Sequence, residues 1–193
     1  MSDIRFHIRS VRQTRQITNA MRLVSAARMH RALEAIHKNQ AYFTRALDVI
    51  ADIRAHTGDV AHPYINRREG GRVAYIVVAG DKGLSGAYNH EALAAATSSM
   101  AGRQVTKLFA IGSVTALHFE REGYVPDRRF EHLAERPRLE EARKLATILI
   151  ELYDAGEIDE VRIVYTHFIN TLVHKPRDQR LMPAELGDFE RPE

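Results

Sequence analysis

The sequence predicts an α/β protein, a long amino-terminal coiled-coil helix followed by a Rossmann-like, mostly parallel sheet domain. Three observations predict it. No glycine or proline occurs before Gly58 and Pro63, so nothing interrupts a helix over residues 1–57. A stretch rich in turn formers, "GDVAHPYINRREGG", then makes residues 58–71 a linker. From residue 72 to 193, strand-like runs alternate with helix-period segments, the pattern of a sheet covered on both faces.

Ser2 is placed to cap the first helix, Asp3 falls in its first turn, and Gly58 is a natural stop. About 55 residues at 1.5 Å rise make a rod of roughly 80 Å. No single small domain can cover it. One heptad column reads Ile8, Arg15, Arg22, Met29, Ile36, Phe43, Ile50; its companion reads Ile4, Val11, Thr18, Ser25, Ala32, Asn39, Ala46, Ile53. Both ends form a coiled-coil seam through Ile4, Ile8, Val11, Ile36, Phe43 and Ile50, and the middle does not. There the large apolar residues shift to Ile17, Met21 and Val24, while Ala20, Ser25, Ala26 and Ala27 keep the rod thin. Two readings fit: a bundle helix with a stutter in its repeat, or a helix gripped by a partner whose middle also faces other surfaces.

In the second part, "RVAYIVVA" (Arg72–Ala79) reads as a buried strand and "AYNHEALAAATSSMAG" as a helix closed by Gly102. "VTKLFAIG" (Val105–Gly112) is a second strand, after which Ser113 caps a helix ending at Gly123. "RLEEARKLATILIELYDAG" (Arg138–Gly156) makes an amphipathic helix, and "EVRIVYTHF" (Glu160–Phe168) another strand. Past a turn at Lys175–Pro176, "QRLMPAEL" is expected to pair with it as a terminal hairpin.

Composition narrows the function. Cysteine is absent, which excludes a disulfide framework and thiolate chemistry. The start lacks the apolar stretch of a signal peptide, and the longest apolar run, Val73–Ala79, is too short to cross a bilayer, so no direct membrane insertion is expected. Net charge is only +3, yet residues 1–31 hold seven arginines against Asp3 alone. That end is suited to an acidic surface. A basic-region zipper has a similar layout, but here the arginines alternate with Ile8, Val11, Ile17, Met21, Leu23 and Val24, which would be wasted on phosphates. Nucleic acid is therefore not the expected partner.

"AGDKGLSGAYN", Ala79–Asn89, is the one stretch resembling a ligand loop, lying between strand and helix. It matches neither the phosphate loop nor Gly-x-Gly-x-x-Gly, and Ser85 lacks the final glycine of a nucleophile elbow. The ten histidines include no His-x3-His pair, and Glu140 and Glu141 read as a solvated face. No metal, cofactor or catalytic residue is expected.

"VRQTRQITNAMRLVSAARMHRA" resembles the amino-terminal signature of the gamma subunit of F-type ATP synthase, Ile-Thr-x-Ala-Met-x-x-Val followed by a Ser/Ala-rich stretch. "GDKGLSGAYN" is similar to that family's Ser-Asp-Arg-Gly-Leu-Cys-Gly-x-x-Asn, departing at Gly80, Lys82 and Ser85. "HPY", "VYTHFINTLVHKP" and "RLMP" follow in matching order. The resemblance implies a non-catalytic central-stalk rotor in a membrane-bound complex at the cytoplasmic face of the bacterial inner membrane. Its partners would be the ring of alpha and beta subunits, the epsilon subunit and the membrane c-subunit ring. Matched residue by residue, it implies Ile17, Met21, Arg22, Val24, Arg28 and Met29 as the bearing region. The family continues into a second long helix where this sequence stops at Glu193, which leaves as an alternative a truncated gamma-like structural or regulatory binding module; the Ala79–Asn89 loop leaves another, a nucleotide-binding enzyme.

Overall fold

A computed structural model describes residues 2–57, 62–66 and 68–184. The chain divides into two compact units, Met1–Gly58 and Asp59–Glu190. The first is helix α1, Ser2–Thr57, with Asp3 in its first turn. It ends one residue before Gly58; the side chain of Ser2 lies outside those described.

The second unit runs β1 (Arg72–Val78), α2 (Tyr88–Met100), β2 (Gln104–Ile111), α3 (Ser113–Arg121), β3 (Arg128–Phe130), α4 (Leu139–Asp154), β4 (Glu160–Phe168) and β5 (His174–Met182). The strands form one sheet in the order β3-β2-β1-β4-β5. The first four are parallel, and β5 runs antiparallel to β4. The mostly parallel α/β sheet expected from the alternation is present.

Successive side chains of β1 serve opposite faces. Val73, Tyr75 and Val77 pack with Ala92, Leu93, Ala96 and Met100 of α2 and Phe119 of α3. Ala74 and Ile76 pack with Leu145, Leu149 and Tyr153 of α4. A central strand covered on both faces must be apolar at every position, which is why "RVAYIVV" shows no alternation. Because α2 and α3 lie on one face and α4 on the other, the winding reverses between β1 and β4. Ligands of open α/β sheets bind beside such a reversal, beyond the carboxyl ends of the strands.

Three local expectations are corrected. Strand β3 was not foreseen; it is a three-residue edge with two exposed arginines. Lys175 and Pro176 do not turn the chain but lie inside β5, paired with His167 and Thr166. The turn falls between Phe168 and His174, where Asn170 Oδ1 accepts the N–H groups of Leu172 and Val173 at 2.9 Å each. Proline is tolerated in β5 because that strand is an edge. Ser113 begins α3 without capping it; the capping position is Gly112, and the Ser113 hydroxyl donates to Asp81 instead. The part of the expected terminal hairpin beyond residue 184 lies outside the described residues.

Candidate partner-binding surfaces

Every residue of α1 from 3 to 32 is exposed. Such a continuous row, including Ile4, Phe6, Ile8, Val11, Ile17, Met21, Leu23, Val24 and Met29, marks an interaction surface rather than a scatter of surface residues. Local hydrogen bonds refine it. The hydroxyls of Thr14 and Thr18 donate back to Ser10 O at 3.1 Å and Thr14 O at 3.0 Å. Their polarity is spent within the helix, so each presents its methyl outward.

At about 100° per residue, the helix separates its exposed groups by face. Ile17, Met21, Val24 and Arg28 share one stripe. Arg22 and Met29 lie roughly 120° around from it, in line with Ile4, Ile8 and Val11 and, further along, Ile36 and Phe43. The six residues expected to act as one bearing region therefore occupy two faces. The side chain of Ile50 lies outside those described.

Beyond Val11 the seam's own side of the helix turns cationic. Arg12, Arg15, Gln16, Thr18, Asn19 and Arg22 line a shallow furrow along the helix. Arg22 Nη2 donates to Asn19 Oδ1 at 3.3 Å. No ion pair to Arg12, Arg15 or Arg22 is found among the described residues, so the furrow keeps its positive charge. Its signal was in the sequence: positions 12, 15, 16, 19 and 22 recur at helical spacing, but a search for apolar columns passes over them.

The Ala79–Asn89 loop is a braced turn at the carboxyl end of β1. Asn89 Oδ1 accepts Gly80 N–H at 2.8 Å, and its amide donates to Lys82 O at 3.0 Å. Asp81 Oδ1 accepts from Ser113 N at 3.1 Å and His132 N at 2.9 Å. Burial pushes this carboxyl up, but the N–H groups of His132, Ser113 and Glu135 outweigh burial and hold it below the ordinary carboxylate value. Ser113 N–H sits at the start of α3, where a helix would receive a phosphate. The chain's own carboxylate already fills that place, which argues against a phosphate site here.

An exposed helix with an apolar side and a second side that turns cationic, joined to an α/β unit, has the make-up of a protein that docks on other chains. The family profile described as ATP synthase matches residues 1–192, and the chain belongs to the gamma-chain family of ATP synthases. It is 37% identical over 185 residues to the ATP synthase gamma chain of Alkaliphilus metalliredigens, covering 96% of this chain and 64% of that one. To the gamma chain of Pelotomaculum thermopropionicum it is 38% identical, covering 96% and 66%. The chain thus spans about two thirds of the length of these relatives. Its fold is similar to one in the central stalk and c ring of the Tetrahymena thermophila mitochondrial ATP synthase, with a TM-score of 0.51 and 15% identity over 78% of this chain and 71% of the other.

Proposed function

We propose that this chain is the central-stalk rotor subunit of an F-type ATP synthase. In this reading α1 turns inside the ring of alpha and beta subunits, while the α/β unit meets the epsilon subunit and the c-subunit ring. Ion flow through the membrane sector is thereby coupled to ATP synthesis or hydrolysis. The ring performs the chemistry; the rotor contributes no catalytic group. The complex lies at the cytoplasmic face of the bacterial inner membrane. No helix among the described residues is long and apolar enough to cross a membrane.

The observation that carries the proposal is the division of α1 into faces. One side, Ile17, Met21 and Val24, is apolar and ends at Arg28; a side roughly 120° around is aliphatic at Ile4, Ile8 and Val11 and turns cationic along the furrow of Arg12, Arg15 and Arg22. A ring of equivalent subunits around such a helix meets a different face at each position. Different contacts change the relative stability of each subunit's conformations, which is how a helix without catalytic groups can shift nucleotide affinity. Arg22 and Met29 act at the border of seam and furrow, and Ile36 and Phe43 continue the seam toward the carboxyl end of α1.

The test is assembly with the alpha, beta and remaining complex subunits in membrane vesicles. Met21→Lys and Arg22→Glu should each leave ATP hydrolysis in place while ATP-driven ion transport falls. Full coupling in both variants would sink the proposal.

A further inference from the structure

At the carboxyl end of the sheet, donor atoms of Asp81, His132 and Glu135 all lie within 4.8 Å of one another. Asp81 comes from the loop after β1, and the other two from the turn between β3 and α4. His132 and Glu135 are three residues apart in a turn closed by Arg136 N–H to His132 O at 2.9 Å, which holds both beside the Asp81 loop. We propose that these three residues form a binding site for a divalent transition-metal ion of the Zn²⁺ class.

Three observations converge on it. Asp81 Oδ1 is occupied by N–H donors, but Oδ2 is buried and has no hydrogen-bond partner. A buried carboxylate oxygen without a donor requires an explanation, and a cation supplies one. His132 adopts φ 61°, a backbone conformation that non-glycine residues seldom take. The strain is borne by the residue that brings an imidazole beside the two carboxylates. Finally, the rim of the cluster already attracts positive charge: the exposed Lys82 Nζ lies 3.5 Å from Glu135 Oε2.

The donor set selects the ion. One imidazole nitrogen with two carboxylate oxygens suits Zn²⁺, Co²⁺ or Mn²⁺, whereas Ca²⁺ and Mg²⁺ favour shells made of oxygen. Three protein ligands leave a position for water. A tetrahedral ion with bonds of about 2.1 Å sets its ligands about 3.4 Å apart. The cluster therefore has to close by little more than an ångström, and His132 and Glu135, both exposed, close it by side-chain rotation. Bound, the ion ties the β1–α2 loop to the β3–α4 turn, and Lys82 is the competing charge it displaces.

Titration of the full chain with ZnCl₂ by calorimetry, and with CoCl₂ by visible absorption, tests the site. One saturable ion per chain and a rise in melting temperature with Zn²⁺ are expected. His132→Gly removes the ligand while relieving the backbone strain, so this variant folds at least as well as the parent and yet loses affinity by at least about tenfold. Glu135→Gln should weaken binding comparably, and Lys82→Met should tighten it. Unchanged affinity in His132→Gly and Glu135→Gln, weaker binding in Lys82→Met, or no saturable binding to the parent chain overturns the assignment.

Discussion

Gly112 joins β2 to α3 where three segments cross, and replacing it with alanine tests whether that crossing positions the Asp81 loop. A Cβ at this position would lie 2.3 Å from Ala79 O and 2.8 Å from Gly80 O. Both obstacles are backbone atoms, and Gly80 O also accepts Val114 N–H while Gly112 N–H donates to Phe130 O. The crossing cannot widen without parting β1 from α3 or β2 from β3. The backbone itself sits at φ 95°, ψ 138°, a region nearly closed to other residues, which costs about 1–3 kcal/mol. Forcing a methyl into packed backbone adds about 1–3 kcal/mol. Gly112→Ala should therefore destabilise the α/β unit by about 4 kcal/mol. With a urea slope near 2 kcal/mol per molar, the midpoint falls by about 2 M. The readout is near-ultraviolet dichroism of the buried Tyr75 and Tyr153, which reports this unit rather than α1. Gly123→Ala is the control: its φ is 86°, but nothing lies within 4 Å of the added carbon, so only the conformational part, about 1 kcal/mol, remains. Equal losses in the two variants would refute the reasoning, because the clash would then contribute nothing.

Four further predictions address other links. The Asp159 carboxyl is held below its ordinary value first by the Arg72 side chain, whose Nε and Nη2 donate at 2.9 and 2.8 Å. A lowered folded-state value stabilises the fold above the unfolded value, and this stabilisation is lost as pH falls through the folded one; acid unfolding below about pH 4 should accordingly be shallower in Asp159→Asn than in the parent. Leu84 is fully exposed at φ 61°, so Leu84→Gly should stabilise the chain by about 0.5–1 kcal/mol in urea melts despite losing an apolar side chain. Met21→Lys alters a residue exposed to 64% and should leave the isolated chain's stability within about 0.5 kcal/mol, so that any loss of coupling reports a contact rather than unfolding. Glycine at both Ala26 and Ala27 should cost about 2 kcal/mol of helix stability, seen as reduced helical dichroism, without removing any large contact side chain.

What the sequence disclosed follows from how local each feature is. β1 was legible because burial on both faces demands apolar residues throughout, and α1 because glycine and proline are absent from it. Strand β3 was not, since Arg128 and Arg129 pair only through their backbone with Phe109 and Ala110, and an edge of three residues imposes no pattern. Pro176 misdirected the hairpin because proline is an equally common mark of turns and of edge strands. For α1, heptad columns propose the seam, and the helix angle sets Arg22 and Met29 apart from Ile17. The Asp81 hub could not be read at all. Its donors lie at Ser113 and His132, 32 and 51 residues away, and only the crossing at Gly112 brings those segments together.

The middle of α1 shows why a rotor would carry so many arginines and alanines. From Gln13 to Ala32 no residue is buried, so tertiary packing supplies none of the order there. Helix formation rests on intrinsic preference: Ala20, Ala26, Ala27 and Ala32 head the propensity scale, and Met21, Leu23 and the arginines stand close behind. The contact of His30 with Glu34, at 3.5 Å, is worth only tenths of a kcal/mol. A helix stabilised from within keeps its shape whichever surface lies against it, and its side chains remain available. Packing of the ordinary kind would do the reverse, fixing one face to one partner and burying the differences between faces. An axle that meets several equivalent partners in turn needs order that none of them provides, and that requirement excludes the continuous apolar stripe which the ends of the helix retain.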